Sequence, residues 1–211
     1  IAWSAAKNND RIGGLIFSEH EHIELKPRRG KTAALDFIGR CTKHTAWHNP
    51  LSSDSASTLH NGSETADKTT ATARLGTVTH PGSLIFMISD FRDMTEKAFS
   101  HIANLSRNND IIMIKISDPM EVELPASGSY RLTDGISELQ IHTASIRTRQ
   151  QYHQRYLSNH QQHEKFCRQH RIHLIDISTA DDVLEKFKAG LGIKGQGNKT
   201  QFRSANSRPV K

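Results

Sequence analysis

Three carboxylates stand where a sheet protein could use them. Asp90 closes the apolar run SLIFMIS, Asp93 follows in the turn SDFRD, and Asp118 closes a second apolar run, DIIMIKIS. In an open parallel sheet, ligands gather beyond the C-terminal ends of the strands. Carboxylates on that edge suit a hard cation such as Mg²⁺, which takes oxygen ligands and keeps several waters. The plainer role for such residues is to cap the following helix by accepting hydrogen bonds from its first N–H groups. If Asp90, Asp93 and Asp118 converge, the alternative chemistry is a two-metal phosphoester hydrolysis, as in a nuclease or phosphatase. The segment after Asp118, DPMEVELP (118–125), holds three carboxylates and two prolines around Met120 and Val122. It reads as a protruding loop, and Asp118, Met120, Glu121 and Glu123 are its candidate partner contacts.

Histidine and cysteine offer a second chemistry. Of thirteen histidines, His160 and His163 share one helical face with Tyr152, Tyr156, Cys167 and His170. His160, His163 and Cys167 have spacing a zinc site could use. A half-buried packing face with hydrogen-bonded imidazoles explains the same pattern more simply. His20 and His22 fall on one side of a strand without a third ligand, and KPRRGK (26–31) reads as a solvated turn. No Gly-rich phosphate loop or Gly-x-Ser-x-Gly elbow occurs, so nucleophilic hydrolase chemistry has nothing to start from. The expectation is a protein that is not an enzyme.

The elements that must position these residues follow from periodicity. RIGGLIFS and HEHIELKP read as a hairpin or bent strand pair, and KTAALDFIGRCTKH as a helix. From Thr45 to about residue 65 the composition turns to Ser, Thr, Asn, Asp and Gly, a long polar loop. A helix over ADKTTATARLGTVT precedes the Pro81-Gly82 break. SLIFMIS and DIIMIKIS are then strands buried on both faces, joined by the amphipathic helix TEKAFSHIANLSRN, so they predict a βαβ unit. SYRLTDG and SELQIHT suggest a second hairpin, and a long helix from about Ser145 to His170 leads into the strand RIHLIDIS. A last helix begins after Thr179, with Asp181 and Asp182 in its first turn. The expected fold is α/β, with a mostly parallel sheet and helices on both faces, over residues 1–191. Residues 192–211 read as a disordered basic tail.

A hydrophobic fraction of 35% and a mean hydropathy of −0.60 put the chain among polar globular proteins, outside the disordered class. The net charge of +6 would suggest nucleic acid, but Lys194, Lys199, Arg203, Arg208 and Lys211 all sit in the tail. Without those five the remainder is at roughly +1, which predicts no nucleic-acid groove. The apolar runs are too short to cross a bilayer. Cys41 and Cys167 each fall in a helical segment as small core residues and make no disulfide framework, which points to the cytoplasm.

The runs PGSLIFMISDFRD (81–93), NNDIIMIKISDPMEVELPASGSYRLTDG (108–135) and HRIHLIDISTADD (170–182), with NNDRIGGLIFSEHEHIELKPRRGK (8–31), resemble one family in order and spacing. It is the von Willebrand factor A-like domain-of-unknown-function family number fifty-eight, encoded in bacteria beside MoxR-type AAA+ ATPases. The resemblance spans roughly residues 1 to 190. It implies a three-layer vWA/Rossmann-like domain that binds protein partners, a MoxR-type ATPase foremost, to assemble or remodel other proteins. It also implies an adhesion-type Mg²⁺ site built from an Asp-x-Ser-x-Ser run, a loop threonine and a distal aspartate. Only the aspartate maps clearly, onto Asp90. Thr58, Thr65 and Thr69 all remain open as the threonine, and DSAS (54–57) does not follow a buried strand. IAWSAAKNND opens like the last turns of a helix already under way, so the expectation is that the first strand, with its serine run, lies upstream of Ile1.

Overall fold

A computed structural model describes residues 1–18, 22–47, 68–92, 94–125, 128–133 and 138–193. Its centre is a parallel sheet of β3 (Leu84–Ser89), β4 (Asp110–Ser117) and β7 (His173–Ser178), with β4 in the middle. The register runs Met87, Met113, Leu174 in one row and Ile88, Ile114, Ile175 in the next, with Ser89, Lys115, Asp176 after it. Because side chains alternate across a strand, these runs feed two cores. Ile85, Ile111 and Met113 meet Ile102 and Leu105 of α4 (Glu96–Leu105) and Cys167 of α6 (Ile146–Gln169). On the other face Ile114, Ile175 and Ile177 meet Phe187 and Leu191, from and just beyond α7 (Val183–Gly190).

The helices start where their caps say they should. Thr95 accepts from the Ala98 N–H to begin α4, Ser145 from Thr148 to begin α6, and Asp182 from Leu184 and Glu185 to begin α7. A side-chain oxygen at such a position satisfies donors that the first turn leaves over. Asp182 is thus the cap of the last helix, ahead of its first turn.

The N-terminal part has a strand ladder of its own. After α1 (Ala2–Lys7), β1 (Arg11–Phe17) pairs antiparallel with β2 (His22–Arg29), with an irregularity between Ile12 and Gly14. Then α2 (Lys31–Thr42) packs across β1. Gly14 makes that approach possible, since a Cβ there would run into the Phe37 ring. A 3₁₀ turn (Thr45–Trp47) follows, and α3 (Lys68–Val78) lies against α4. Farther along, β5 (Ser129–Thr133) and β6 (Glu138–His142) form the second antiparallel pair. The short α5 (Pro119–Val122) follows β4.

The expected parallel sheet is there with three strands among the described residues, and the two hairpins are ladders of their own. Among the described residues, β1 and β3 each have one hydrogen-bonded neighbour, and Leu84 and Ile88 of β3 are each 57% exposed. One expectation changes: Cys41 is half-buried and not a core residue, whereas Cys167 is buried. No helix among the described residues is long and apolar enough to cross a membrane. Most of the polar loop (48–67) and of the tail (194–211) lie outside the described residues.

Ile102 is fully buried between α4 and the sheet. Ile102→Ala should therefore cost about 3–4 kcal/mol, from lost transfer energy and the cavity left behind. Urea unfolding checks this, and a loss below about 1 kcal/mol would mean that the α4 core is not packed as described.

Candidate functional site

The strand-end edge is built from three loops that hold one another. After β3, Asp90 Oδ1 accepts from the Arg92 N–H at 3.1 Å and from the Ser89 hydroxyl at 3.3 Å. Between them Phe91 is buried at 3% exposure with φ of 53°. That left-handed conformation is uncommon for a bulky residue and turns the chain back on itself. The Arg92 side chain then spans two loops, with Nε 3.8 Å from Asp90 Oδ2 and Nη2 ion-paired to Glu121 Oε1. The hydrogen bond to Glu121 holds the Arg92 guanidinium above its ordinary pKa, against the lowering effect of partial burial.

After β4, Asp118 caps α5, in which Pro119 takes the first helical position. Its Oδ1 accepts from the Met120 N–H at 2.9 Å, and its Oδ2 from the Thr179 hydroxyl of the β7 loop at 2.7 Å. Those two bonds, the backbone one first, hold the Asp118 carboxyl below the usual carboxylate range. From the other side, the Tyr152 hydroxyl donates to the Met120 carbonyl at 3.3 Å, and His153 Nδ1 lies 3.0 Å from the Val122 carbonyl. Residues 118–123 are thus a pinned helical turn and not a protruding loop. Met120 is 52% exposed on it, while Val122 is half-buried.

A family model described as "Protein of unknown function DUF58" matches residues 1–163. The chain belongs to this family. The match ends inside α6, short of the residue-190 limit read from the sequence. Neither a curated protein nor a solved structure matches the chain.

Asp90, which the adhesion-type reading of this DUF58 chain singled out, is engaged by protein donors, and so is Asp118. Asp90 turns one oxygen to an N–H and a hydroxyl and the other to a guanidinium. Asp118 spends both oxygens on protein donors. Among the described residues no group of three His, Cys, Asp or Glu side chains could hold a metal. Thr69 bonds Thr95, at 2.7 Å between hydroxyls, in the loop that follows Asp90. Glu123 ends α5, its N–H bonded to the Pro119 carbonyl. Thr58, Thr65, Asp93 and His20 lie outside the described residues.

The α6 face is a packing face. His163 is buried beside Phe91 and Phe99, and the Cys167 thiol lies 3.5 Å from the Met113 sulfur. Burial pushes the Cys167 thiol up to about 12, which keeps it neutral in the core. Sequence reasoning missed two residues of this DUF58 domain. Arg92 stood inside the quoted SDFRD turn, but attention went to its aspartates. Lys115 is the one charge within IIMIKIS, and a charge inside a doubly buried strand must have partners.

Those partners form a polar cluster under α6. Lys115 is 4% exposed, with Nζ 4.6 Å from the Tyr156 ring centre and 3.4 Å from His160 Nδ1. The Tyr156 ring stacks parallel to His160. His160 in turn lies 3.6 Å from Asp176 Oδ1 and from Glu164 Oε1. Partial burial raises the Asp176 carboxyl above its ordinary value, outweighing the pull of His160 and Lys115.

Two measurements test these contacts. Thr179→Val should move the Asp118 titration upward, followed by carboxyl NMR. The sign follows from the depressed pKa: what the charged cap contributes is fully present above the unfolded carboxylate pKa, and is lost as pH falls through the depressed one. An unchanged titration would remove the Thr179 bond from the account. A double-mutant cycle of Lys115→Met with Tyr156→Leu should give a favourable coupling of about 1–2 kcal/mol, because the cation–π pair is desolvated.

Proposed function

We propose that this chain is a non-enzymatic protein-interaction module of the vWA-like type, working with a MoxR-type AAA+ ATPase to assemble or remodel other proteins. Its contact surface is the strand-end edge centred on α5. The observation that carries this reading is the pinning of α5 from three directions: Thr179 on Asp118, Arg92 on Glu121, and Tyr152 with His153 on the α5 carbonyls. A turn held this way presents Met120 with little left to order on binding, and preorganisation of that kind favours affinity. A half-exposed methionine adapts its shape to an apolar pocket, and the carboxylates beside it supply polar contacts at the rim. Two free thiols suit a reducing cytoplasm. The two cores on opposite faces of the sheet fit the three-layer vWA/Rossmann-like arrangement.

The test is direct binding of the 211-residue chain to a MoxR-type AAA+ ATPase, with purified components. Met120→Asp should weaken binding at least about tenfold, since it places a charge in an apolar contact. Met120→Leu should leave binding within about threefold, because volume and polarity are kept. Equal binding by wild type and Met120→Asp, or none by wild type, removes α5 as the contact for this partner.

A further inference from the structure

We propose that His160 is a proton-operated latch beneath α6: when neutral it ties the helix to Lys115 of the central strand β4, and when protonated it turns to Asp176 of the neighbouring strand β7. The device is internal to the domain and stands whether or not a partner docks on α5.

The surroundings of one nitrogen carry it. His160 Nδ1 lies 3.4 Å from Lys115 Nζ and 3.6 Å from Asp176 Oδ1. These two neighbours make opposite demands. An ammonium has only protons to give, so Nδ1 meets it with a lone pair, whereas a carboxylate needs Nδ1 to carry a proton. One nitrogen cannot do both at once, and its protonation state selects the strand. The other ring nitrogen suits both states. Nε2 lies 3.6 Å from Glu164 Oε1, so the neutral ring that accepts from Lys115 keeps its single N–H towards a carboxylate. A proton added at Nδ1 then gives each ring nitrogen a carboxylate to face and leaves Lys115 without its acceptor.

The neighbours make that choice matter. Lys115 and Asp176 are register partners on adjacent strands, so both are offered to His160 from one face of the sheet. Lys115 is buried, and its other neighbour is the Tyr156 ring, 4.6 Å from Nζ. An ammonium buried without an acceptor is costly, so losing Nδ1 throws Lys115 back on that ring. Asp176 is the converse case. Burial raises its carboxyl despite His160 and Lys115, and a full charge on the imidazole serves it best. The groups facing His160 are thus Lys115 from β4, Asp176 from β7, and Tyr156 and Glu164 from α6 itself. Imidazole is the side chain whose charge changes between about pH 5 and 8, so the tie passes from one strand to the other within that range. Tyr152 and His153, which hold α5, lie about two turns away on the same helix.

The test is NMR of the ¹⁵N-histidine-labelled 211-residue chain between about pH 8.5 and 5, with the Tyr156 ring protons followed in parallel. In wild type the His160 Nδ1 signal should pass from the acceptor to the N–H range, and the Tyr156 protons should shift with the same midpoint. Lys115→Met should make His160 titrate at higher pH, since a neighbouring cation opposes its charge. Asp176→Asn should make it titrate at lower pH, each by at least about half a pH unit. The latch is wrong if Nδ1 already carries the proton at the alkaline end, if Tyr156 does not move with His160, or if both variants titrate as wild type does. Should the variants not fold, the Lys115 ammonium protons in wild type decide. Their protection from exchange at alkaline pH, lost as His160 charges, supports the latch, and protection that stays constant across the titration overturns it.

Discussion

Strand β4 is hydrogen-bonded along both edges and covered on both faces, and the rest of the described structure takes its position from it. Ile111 and Met113 face the core under α4 and α6, and Ile114 faces the one under α7. The chain leaves β4 straight into Asp118 and α5. A strand in that situation tolerates little but branched apolar residues, which is why DIIMIKIS is the least ambiguous segment in the sequence. Its exception is Lys115. An amine 4% exposed in such a strand would be costly alone. The aromatic and carboxylate neighbours supplied by α6 and β7 offset that cost. The same helix that answers the buried charge also reaches α5 through Tyr152 and His153. Helix α6 therefore couples the interior of the sheet to its outer edge.

How much could be read in advance divides along physical lines. Runs of apolar residues with clear periods gave the strands β3, β4 and β7 and the helices α2, α4 and α6, because burial dictates the pattern locally. Helix starts were nearly as legible: the long helix begins at Ser145 as read, while Asp182, read as a first-turn residue, stands one step earlier as the cap. What stayed hidden is pairing between distant segments. Nothing in RIGGLIFS says that its ladder stays apart from β3, since a strand's second neighbour is a tertiary fact. Likewise the sequence shows that Asp118 follows a strand, but not that Thr179, on the loop after β7, donates to it.

The edge residues make the same point for chemistry. Asp90 and Asp118 were singled out by type and position, and both positions are as expected. Their oxygens, however, answer nearby donors before any ligand. An aspartate at a strand end competes for its own loop's N–H groups, and Arg92, two residues from Asp90, adds a full charge to that competition. Residue type suggested a cation site, and the cation the structure places beside Asp90 and Glu121 is Arg92. The zinc-like spacing on α6 is a packing pattern: His163 lies against Phe91 and Phe99, and Cys167 against Met113.

The parallel sheet also has a history in time. Strands β3 and β4 are joined by one short helix, so a nascent chain can assemble β3, α4 and β4 as a local unit soon after it is made. The second edge of β4 has no such neighbour. Residues 118–172, including a hairpin and the longest helix, must be synthesised before β7 arrives to cover it. Until then an apolar strand with open amides is exposed on the growing chain, and its lysine lacks Asp176. Such half-built sheets are what chaperones meet during synthesis. Removing β7 by truncation would therefore do more than shorten the protein, because it would arrest the sheet in that state.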